Sequence, residues 1–356
     1  MPELTARTRL SLYGLPFWMQ VLANPDPGLA PAADPGRQTA TEATSTVRMA
    51  TATVLTLRPR EEKDGVDASS RRILLEEQFA AADLHFVGIQ EVRSPQSEMR
   101  SGRKYLMVSS AAEVGGSGGV ELWVRAGPQV KAESTFAVHS SPRLLVVVFK
   151  WQGRPMRFAV MHGPDAAYGV EAAGKWWEQT AAVLRQCRPP GVPLVVLADA
   201  NARLGSVTSP FVGDHQADQQ TETGEMLHDL MAEQDLAAPA IFATRGEGWT
   251  WQSNAGRRHR IDFVICPRSW LPAVVVAEVP SQISLALEDR EDHRATVVEL
   301  LVESGPPPTG KVPCTSEDFM RRVSRPARPC VCPTSLPACK SCGARCRSCR
   351  PRGRPT

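Results

Sequence analysis

Many short apolar runs, rich in β-branched residues, follow one another along this chain with few helical segments between them. Three longer segments have the 3.6-residue periodicity of helices, at 71–82, 171–186 and 222–234. The predicted strands are 53–57, 84–89, 120–124, 144–149, 157–161, 194–198, 250–251, 261–265, 274–279 and 296–301. Because strands outnumber helices and often follow each other directly, the pattern favours an α/β fold of two packed sheets with helices outside.

Composition divides the chain into three regions. Residues 1–47 are rich in Ala, Pro and Thr without sustained periodicity, which predicts a poorly ordered N-terminal lead. The patterned domain covers 48–303, and a Pro-, Arg- and Cys-rich tail at 304–356 is predicted to be disordered. No apolar run approaches the roughly 18 residues that a membrane span needs, so we expect no membrane partner.

The net charge of +3 hides an asymmetry between domain and tail. From Lys311 to Thr356 there are eleven Lys and Arg residues and two acidic ones, a net charge of +9 that leaves −6 for residues 1–310. The basic character therefore belongs to the tail. The overall charge gives no reason to assign a nucleic-acid-binding surface to the domain.

Seven of the nine cysteines lie in the tail, and the domain contains only Cys187 and Cys266. This distribution is not that of a disulfide-stapled secreted domain, so we expect an intracellular protein of the nucleus or cytoplasm. Within the tail, Cys339-x2-Cys342 and Cys346-x2-Cys349 look like halves of a Zn²⁺ knuckle. Their three-residue spacer is too short for a usual four-cysteine ribbon, so a disordered tail without zinc is favoured.

Acidic and amide residues stand where apolar strands end. Glu91 follows one buried run, Asp199 and Asn201 follow another, Asp262 lies inside a third, and Asp292–His293 precedes the last. A carboxylate at the end of a buried strand is costly unless a cation or hydrogen bonds stabilise it. One such residue is ordinary, but four in one chain indicate that the strand ends converge on a cation.

Hard oxygen ligands with few histidines suit Mg²⁺ or Mn²⁺ better than Zn²⁺. Such a metal polarises a phosphoryl oxygen and stabilises a leaving oxyanion. A further carboxylate can activate water, and a histidine can neutralise charge on the phosphoryl group. The pattern therefore indicates phosphoester chemistry.

Several stretches occur in a characteristic order and spacing. They are TVLTL (53–57), GIQE (88–91), GGVELWV (118–124), SPRLLVV (141–147), MHGP (161–164), LADANARLG (197–205), TW (250–251), RIDFVI (260–265) and DHRATVVEL (292–300). The ordered set resembles the endonuclease/exonuclease/phosphatase superfamily, which includes apurinic endonucleases, DNase I-like enzymes and endonuclease domains of non-LTR retrotransposons. The resemblance covers roughly 48–303. It implies a DNase I-like, four-layered α/β sandwich with two mostly antiparallel sheets.

The resemblance also implies metal ligands. Glu91 looks like the principal Mg²⁺ ligand, and Asp292 looks like a second carboxylate of the metal site. The family usually carries Asn on its first strand where this chain has Thr53. Because a Thr hydroxyl is a poorer ligand than an Asn carbonyl, we predict a weakened metal site.

The remaining roles that the resemblance implies concern water and phosphate. Asp199 looks like the residue that orients or deprotonates the attacking water, with Asn201 as its phosphate-contacting partner. Asp262 looks like the carboxylate that holds His293, and His293 looks like the donor to the scissile phosphate. His162 matches a family histidine that reaches the phosphate in some members, although a structural histidine is an equally good interpretation.

Two further features allow two interpretations each. The basic run 257–260 could grip a phosphate backbone, but a solvated basic turn is the commoner outcome. The pair Trp176–Trp177 could stack on bases, but core packing is the simpler interpretation.

Together these observations predict a monomeric Mg²⁺-dependent phosphodiester hydrolase, an endonuclease with DNA or RNA as partner. One alternative is a catalytically impaired, retroelement-derived remnant that binds nucleic acid without cleaving it. The other is a phosphatase of small or lipid phosphates, because a fold does not fix a substrate.

Overall fold

A computed structural model describes residues 44–57, 68–128, 130, 132–187, 189, 191–286 and 292–303. The predicted lead up to residue 43 and the whole predicted tail, with its candidate zinc ligands, lie outside these described residues. Within the described residues, no helix has both the length and the apolar character to cross a membrane.

The first sheet has seven strands in the order β14, β15, β1, β2, β5, β4, β3. Their bounds are β1 Thr44–Thr53, β2 Phe86–Gln90, β3 Glu98–Ser101, β4 Tyr105–Ser109, β5 Val120–Arg125, β14 Val274–Glu278 and β15 Thr296–Glu303. Strands β1 and β2 run parallel, and every other neighbouring pair of this sheet is antiparallel.

The second sheet has six strands in the order β10, β13, β9, β8, β7, β6, and β11 and β12 form a separate hairpin. Their bounds are β6 Phe136–Ser141, β7 Leu144–Trp151, β8 Arg154–His162, β9 Leu194–Asp199, β10 Leu236–Ala237, β11 Trp251–Gln252, β12 Arg258–His259 and β13 Asp262–Pro267. Only β8 and β9 are parallel neighbours in this sheet.

Within the described part of the chain, three α-helices cover the outer faces of the two sheets: α1 Ala68–Ala81, α2 Val170–Gln186 and α3 Glu222–Gln234. The α1 side chain Phe79 packs with Trp123 of the first sheet. Trp177 of α2 and Leu227 of α3 pack with Val196 of the second. The layers therefore run helix, sheet, sheet, helices, which confirms the predicted four-layered sandwich.

The core between the two sheets is built from aromatic and branched side chains. Phe86 lies 4.6 Å from Phe158 and 5.5 Å from Phe149 between ring centroids, so strands of both sheets meet in one cluster. Towards one end the two sheets lie closer together. The evidence is at Gly88, where an added Cβ would lie only 2.4 Å from the Leu197 Cβ. This close approach brings polar groups of the two sheets into contact just beyond it.

The prediction of the first strand is wrong. The structure places β1 at Thr44–Thr53 instead of 53–57, so this strand begins before residue 48. β1 alternates Thr, Ala and Arg, a weak strand signal, and its burial comes from its neighbours β2 and β15. The predicted packing role of Trp176–Trp177 is confirmed, and both domain cysteines are buried free thiols.

Candidate active site

Five predicted site residues meet at one end of the two sheets. Thr53 ends β1, Glu91 follows β2, His162 ends β8 and Asp199 ends β9. Because β1 and β2 are parallel, and β8 and β9 are parallel, the ends of each pair emerge at the same edge. Asp262 begins β13, which runs antiparallel to β9, so it enters the same edge opposite Asp199.

Two carboxylates and a histidine form the buried centre of this site. Asp199 and Asp262 are direct register partners, and their side chains are 2% and 0% exposed. One ligand atom from each of these residues and one from His293 lie within 4.8 Å of one another. Two facing carboxylates in so dry a position require a proton or a cation between them.

Thr53 lies directly against both carboxylates. Its Oγ1 is 3.1 Å from Asp199 Oδ2 and 3.1 Å from Asp262 Oδ1. A hydroxyl has one proton and can donate to only one of them. Burial and the neighbouring charge of Asp262 raise the pKa of Asp199 to about 7. The oxygen-rich donor set and this unfavourable charge pairing fit a hard divalent cation.

His293 is held by one of these carboxylates. Its Nδ1 lies 3.2 Å from Asp262 Oδ2. Burial alone would lower the pKa of His293, but the charges of Asp262 and Asp199 outweigh it and raise the pKa to about 9. The imidazole is therefore protonated at neutral pH, so its second N–H can donate to an anion.

His162 lies between Glu91 and Asp199 without hydrogen bonding to either. Its Nε2 is 3.7 Å from Glu91 Oε1 and 3.9 Å from Asp199 Oδ2. Burial and the charge of Arg143 lower the pKa of His162 to about 3, so the ring is neutral. Among the described residues its buried Nδ1 has no partner, which is not the pattern of a satisfied structural histidine.

Asn201 and Glu91 both have left-handed backbone conformations, with φ of 47° and 58°. The Asn201 backbone N–H donates to Asp199 Oδ1 at 3.1 Å, and its amide Nδ2 donates to the Gly163 carbonyl at 3.0 Å. Glu91 pairs with Arg93 at 3.2 Å. This left-handed backbone, one residue after the end of β2 and two residues after the end of β9, directs the two side chains towards the site.

The sequence prediction missed Gln90, which links the two sheets under the site. Its Nε2 donates to the Leu197 carbonyl at 3.1 Å, and its Oε1 lies 3.4 Å from the Thr53 hydroxyl. The available signal was a polar residue ending an otherwise apolar run. Asp292 contributes to the raised pKa of His293. Both Asp292 and Glu91 lie outside the group of three, so their ligand roles stay predictions.

Comparison with known proteins decides the family. The model of the endonuclease/exonuclease/phosphatase family matches residues 60–293, which is more than half of the chain. This chain belongs to that family. No curated protein sequence matches it.

The chain is also similar to several solved structures. The 3′-5′ exonuclease NExo from Neisseria meningitidis is 16% identical, with 71% of this chain and 99% of that chain covered at a TM-score of 0.52. An AP endonuclease from Archaeoglobus fulgidus is 17% identical, covering 71% and 98% at 0.50. The endonuclease domain of TRAS1, a telomere-specific non-LTR retrotransposon, is 15% identical, covering 72% and 98% at 0.49. At such identities the first two likenesses establish the fold.

A cleft of about 800 Å³ adjoins the candidate site at Asn201. Asn201 reaches it from the centre, Val170 and Ala173 line it from α2, and Trp251 and His259 line it from the β11–β12 hairpin. The rings of Trp251 and His259 stack with an interplanar angle of 16° and a centroid distance of 6.0 Å. The cleft thus offers an aromatic surface beside the buried carboxylates.

Proposed function

We propose that this member of the endonuclease/exonuclease/phosphatase family is a divalent-metal-dependent phosphodiesterase that acts on nucleic acid as an endonuclease. The observation that carries the proposal is the buried group of Asp199, Asp262 and His293, with ligand atoms within 4.8 Å of one another. It combines a buried carboxylate pair, which a cation would stabilise, with an imidazole that is protonated at neutral pH. Both kinds of positive charge can stabilise the charge that develops in phosphoryl transfer.

The residues that would hold Mg²⁺ or Mn²⁺ are the carboxylates Asp262 and Glu91 at the strand ends, which leaves the carboxyl of Asp199 to act on water. When bound, such an ion supplies Lewis-acid stabilisation of charge on the phosphoryl and leaving oxygens. The oxygen-rich donor set suits these two ions better than Zn²⁺. Mg²⁺ dependence is accordingly part of the proposal.

The side chains divide the remaining work. The carboxyl of Asp199, whose pKa burial raises to about 7, is suited to take a proton from the attacking water near neutral pH. Protonated His293 donates to the phosphoryl oxygen as negative charge develops there. Asp262 fixes the imidazole by its contact at 3.2 Å and keeps it charged. This arrangement follows the logic of a carboxylate that orients a histidine.

Nucleic acid as substrate is supported by the adjoining cleft. Its volume of about 800 Å³ exceeds what a single phosphate group requires. The stacked Trp251 and His259 rings offer a surface on which a base can stack. In addition, a related solved structure is described as a 3′ phosphatase from Neisseria bound to a product DNA hairpin.

A nicking assay tests this proposal directly. The full chain is incubated with supercoiled plasmid, and in parallel with a structured RNA, in Mg²⁺, in Mn²⁺ and in EDTA. We expect metal-dependent conversion of one of these polymers, and no turnover of small phosphate monoesters. Absence of metal-dependent cleavage of both polymers by the wild type would contradict the proposal.

Thr53→Asn is expected to tighten metal binding and raise the cleavage rate several-fold. Thr53 has one hydroxyl proton for two carboxylate oxygens, each 3.1 Å from its Oγ1. An Asn amide supplies two N–H donors and a carbonyl oxygen. Isothermal titration with Mn²⁺ and the Mg²⁺ dependence of kcat measure the two effects. Thr51→Asn, one pleat away on β1 and hydrogen-bonded to Gln90, is a matched control. An unchanged metal affinity in Thr53→Asn would show that Thr53 does not weaken the site.

A further inference from the structure

A stack of two arginines and a tryptophan lies beside the catalytic centre, and the proposed chemistry makes no use of it. The guanidinium carbons of Arg258 and Arg294 lie 4.4 Å and 4.5 Å from the centroid of the Trp249 ring. We name this group the Arg–Trp–Arg stack. Arg294 directly follows His293 in the chain, so the stack is continuous with the catalytic group.

Glu247 is the acidic neighbour of the stack. Its Oε2 accepts a hydrogen bond from the Trp249 indole at 2.8 Å. Its carboxylate oxygens lie 3.6 Å from Arg258 Nη1 and 3.9 Å from Arg294 Nη1, both beyond hydrogen-bond distance. The Glu247 side chain is 66% exposed and that of Arg258 is 50% exposed, so water screens the attraction. Glu247 is therefore a weak counter-ion that an anionic ligand can replace.

Stacking leaves the hydrogen-bonding edges of a guanidinium available. Arginine uses its flat face against an aromatic ring, while its N–H donors point outward in the plane. In Arg258 the Nε already donates to Gln252 Oε1 at 2.9 Å, so its Nη donors are the ones that match the non-bridging oxygens of a phosphodiester. The shared indole also holds two like charges close together, and an anion beside them stabilises this arrangement.

We propose that the Arg–Trp–Arg stack is a contact surface for the phosphate backbone of the strand that is bound at the catalytic centre. The inference rests on the proposed function, because it places a nucleic-acid strand at His293. It assigns a positioning role to residues that do not touch the reacting phosphate.

The acidic charge of the domain restricts where a polyanion can bind. Residues 1–310 carry a net charge of −6, so a phosphate backbone is repelled unless a local positive surface holds it. The β11–β12 hairpin supplies such a surface, because Arg258 pairs in register with Gln252 at its exposed end. The other side of the same hairpin lines the aromatic cleft with Trp251 and His259. One nucleic-acid strand can therefore contact the aromatic cleft, the catalytic centre and the Arg–Trp–Arg stack.

Equilibrium binding without turnover tests the surface. The probe is a fluorescently labelled 20-base-pair DNA duplex, measured by anisotropy with the full chain in EDTA over a series of salt concentrations. The basic tail is then present equally in every variant. For Arg258→Gln we expect roughly fivefold or greater weakening of Kd and a salt slope lower by about 1, as for loss of one phosphate contact. Glu247→Gln should tighten binding, because it removes the competing carboxylate.

Arg268→Gln is the matched control. Arg268 also lies over an aromatic ring, at 5.8 Å from the Phe211 centroid, and pairs with Asp235 at 2.8 Å. It follows the far end of β13 from Asp262. We expect its Kd and salt slope to equal those of the wild type. In the nicking assay, Arg258→Gln should raise KM and leave kcat unchanged.

The outcomes separate this inference from the proposed function. If the wild type cleaves and Arg258→Gln binds as the wild type does, the surface is wrong and the function stands. If Arg258→Gln weakens binding but the wild type does not cleave, the function is wrong and the surface stands. The proposed surface would be overturned if Arg258→Gln and Arg268→Gln lost the same DNA affinity, or if Glu247→Gln bound the duplex more weakly than the wild type. It would also be overturned if polyglutamate displaced the labelled duplex as well as unlabelled duplex does.

Discussion

Asp199→Asn is expected to slow nucleic-acid cleavage by roughly a thousandfold or more while the fold is retained, a loss typical of removing a central catalytic group. The substitution removes the carboxylate that takes the proton from water and one of two facing negative charges. An Asn carbonyl can still accept the Asn201 backbone N–H, which Asp199 Oδ1 accepts at 3.1 Å. Plasmid nicking under single-turnover conditions measures the rate, and thermal unfolding checks the fold.

Asp235→Asn provides the matched control for this experiment. Asp235 has the left-handed conformation that Asn also tolerates, and it pairs with Arg268 away from the site. We expect its cleavage rate to equal that of the wild type. If purified Asp199→Asn cleaved as fast as the wild type, Asp199 would not be the water-activating residue. If both variants lost activity alike, the loss would come from the fold and not from the site.

Asp262→Asn is expected to reduce the rate at pH 7.5 by roughly a hundredfold to ten-thousandfold, the range seen when a carboxylate that orients a histidine is removed. The charge of Asp262 is the main reason that the pKa of His293 is raised to about 9 in spite of burial. Without that charge, the pKa of His293 falls, because burial is then opposed only by the charges of Asp199 and Asp292. A larger share of the imidazole is then neutral at pH 7.5 and lacks the charge that it supplies to the phosphoryl group.

Titration of the His293 ring by nuclear magnetic resonance measures the change in its pKa independently of the cleavage activity. Because the folded pKa lies above the unfolded one, the His293–Asp262 contact stabilises the fold fully below about pH 6.5. That contribution is lost as the pH rises through 9. The stability difference between the wild type and Asp262→Asn should therefore be larger at pH 6 than at pH 9.5. A His293 that still titrates near pH 9 in the variant would contradict this account.

The predicted site residues were found because each stands next to its own signal. Glu91, Asp199 and Asp262 adjoin or interrupt apolar runs, where a carboxylate is costly without a partner. The structure brings these residues and His293 to one edge, as the pattern indicated. Their individual roles remain predictions that the experiments above test.

The Arg–Trp–Arg stack had no comparable signal. Trp249, Arg258 and Arg294 lie far apart in sequence, and each alone is an ordinary surface residue. The basic run 257–260 also divides in the structure, since Arg260 is buried and Arg258 is exposed. Only the pairing of β11 with β12 and the path of the chain after His293 bring the three side chains together.

The sequence by itself determined the fold class and the acidic strand ends, because alternation, apolar runs and the neighbours of a charged residue are local properties. Tertiary structure alone decided the position of β1, whose weak pattern is buried by its partners on both sides. It also decided the contact of Thr53 with both Asp199 and Asp262, which requires two sheets to meet at one edge. Distances between side chains on different sheets depend on the packing of the whole core, and no stretch of sequence encodes them alone.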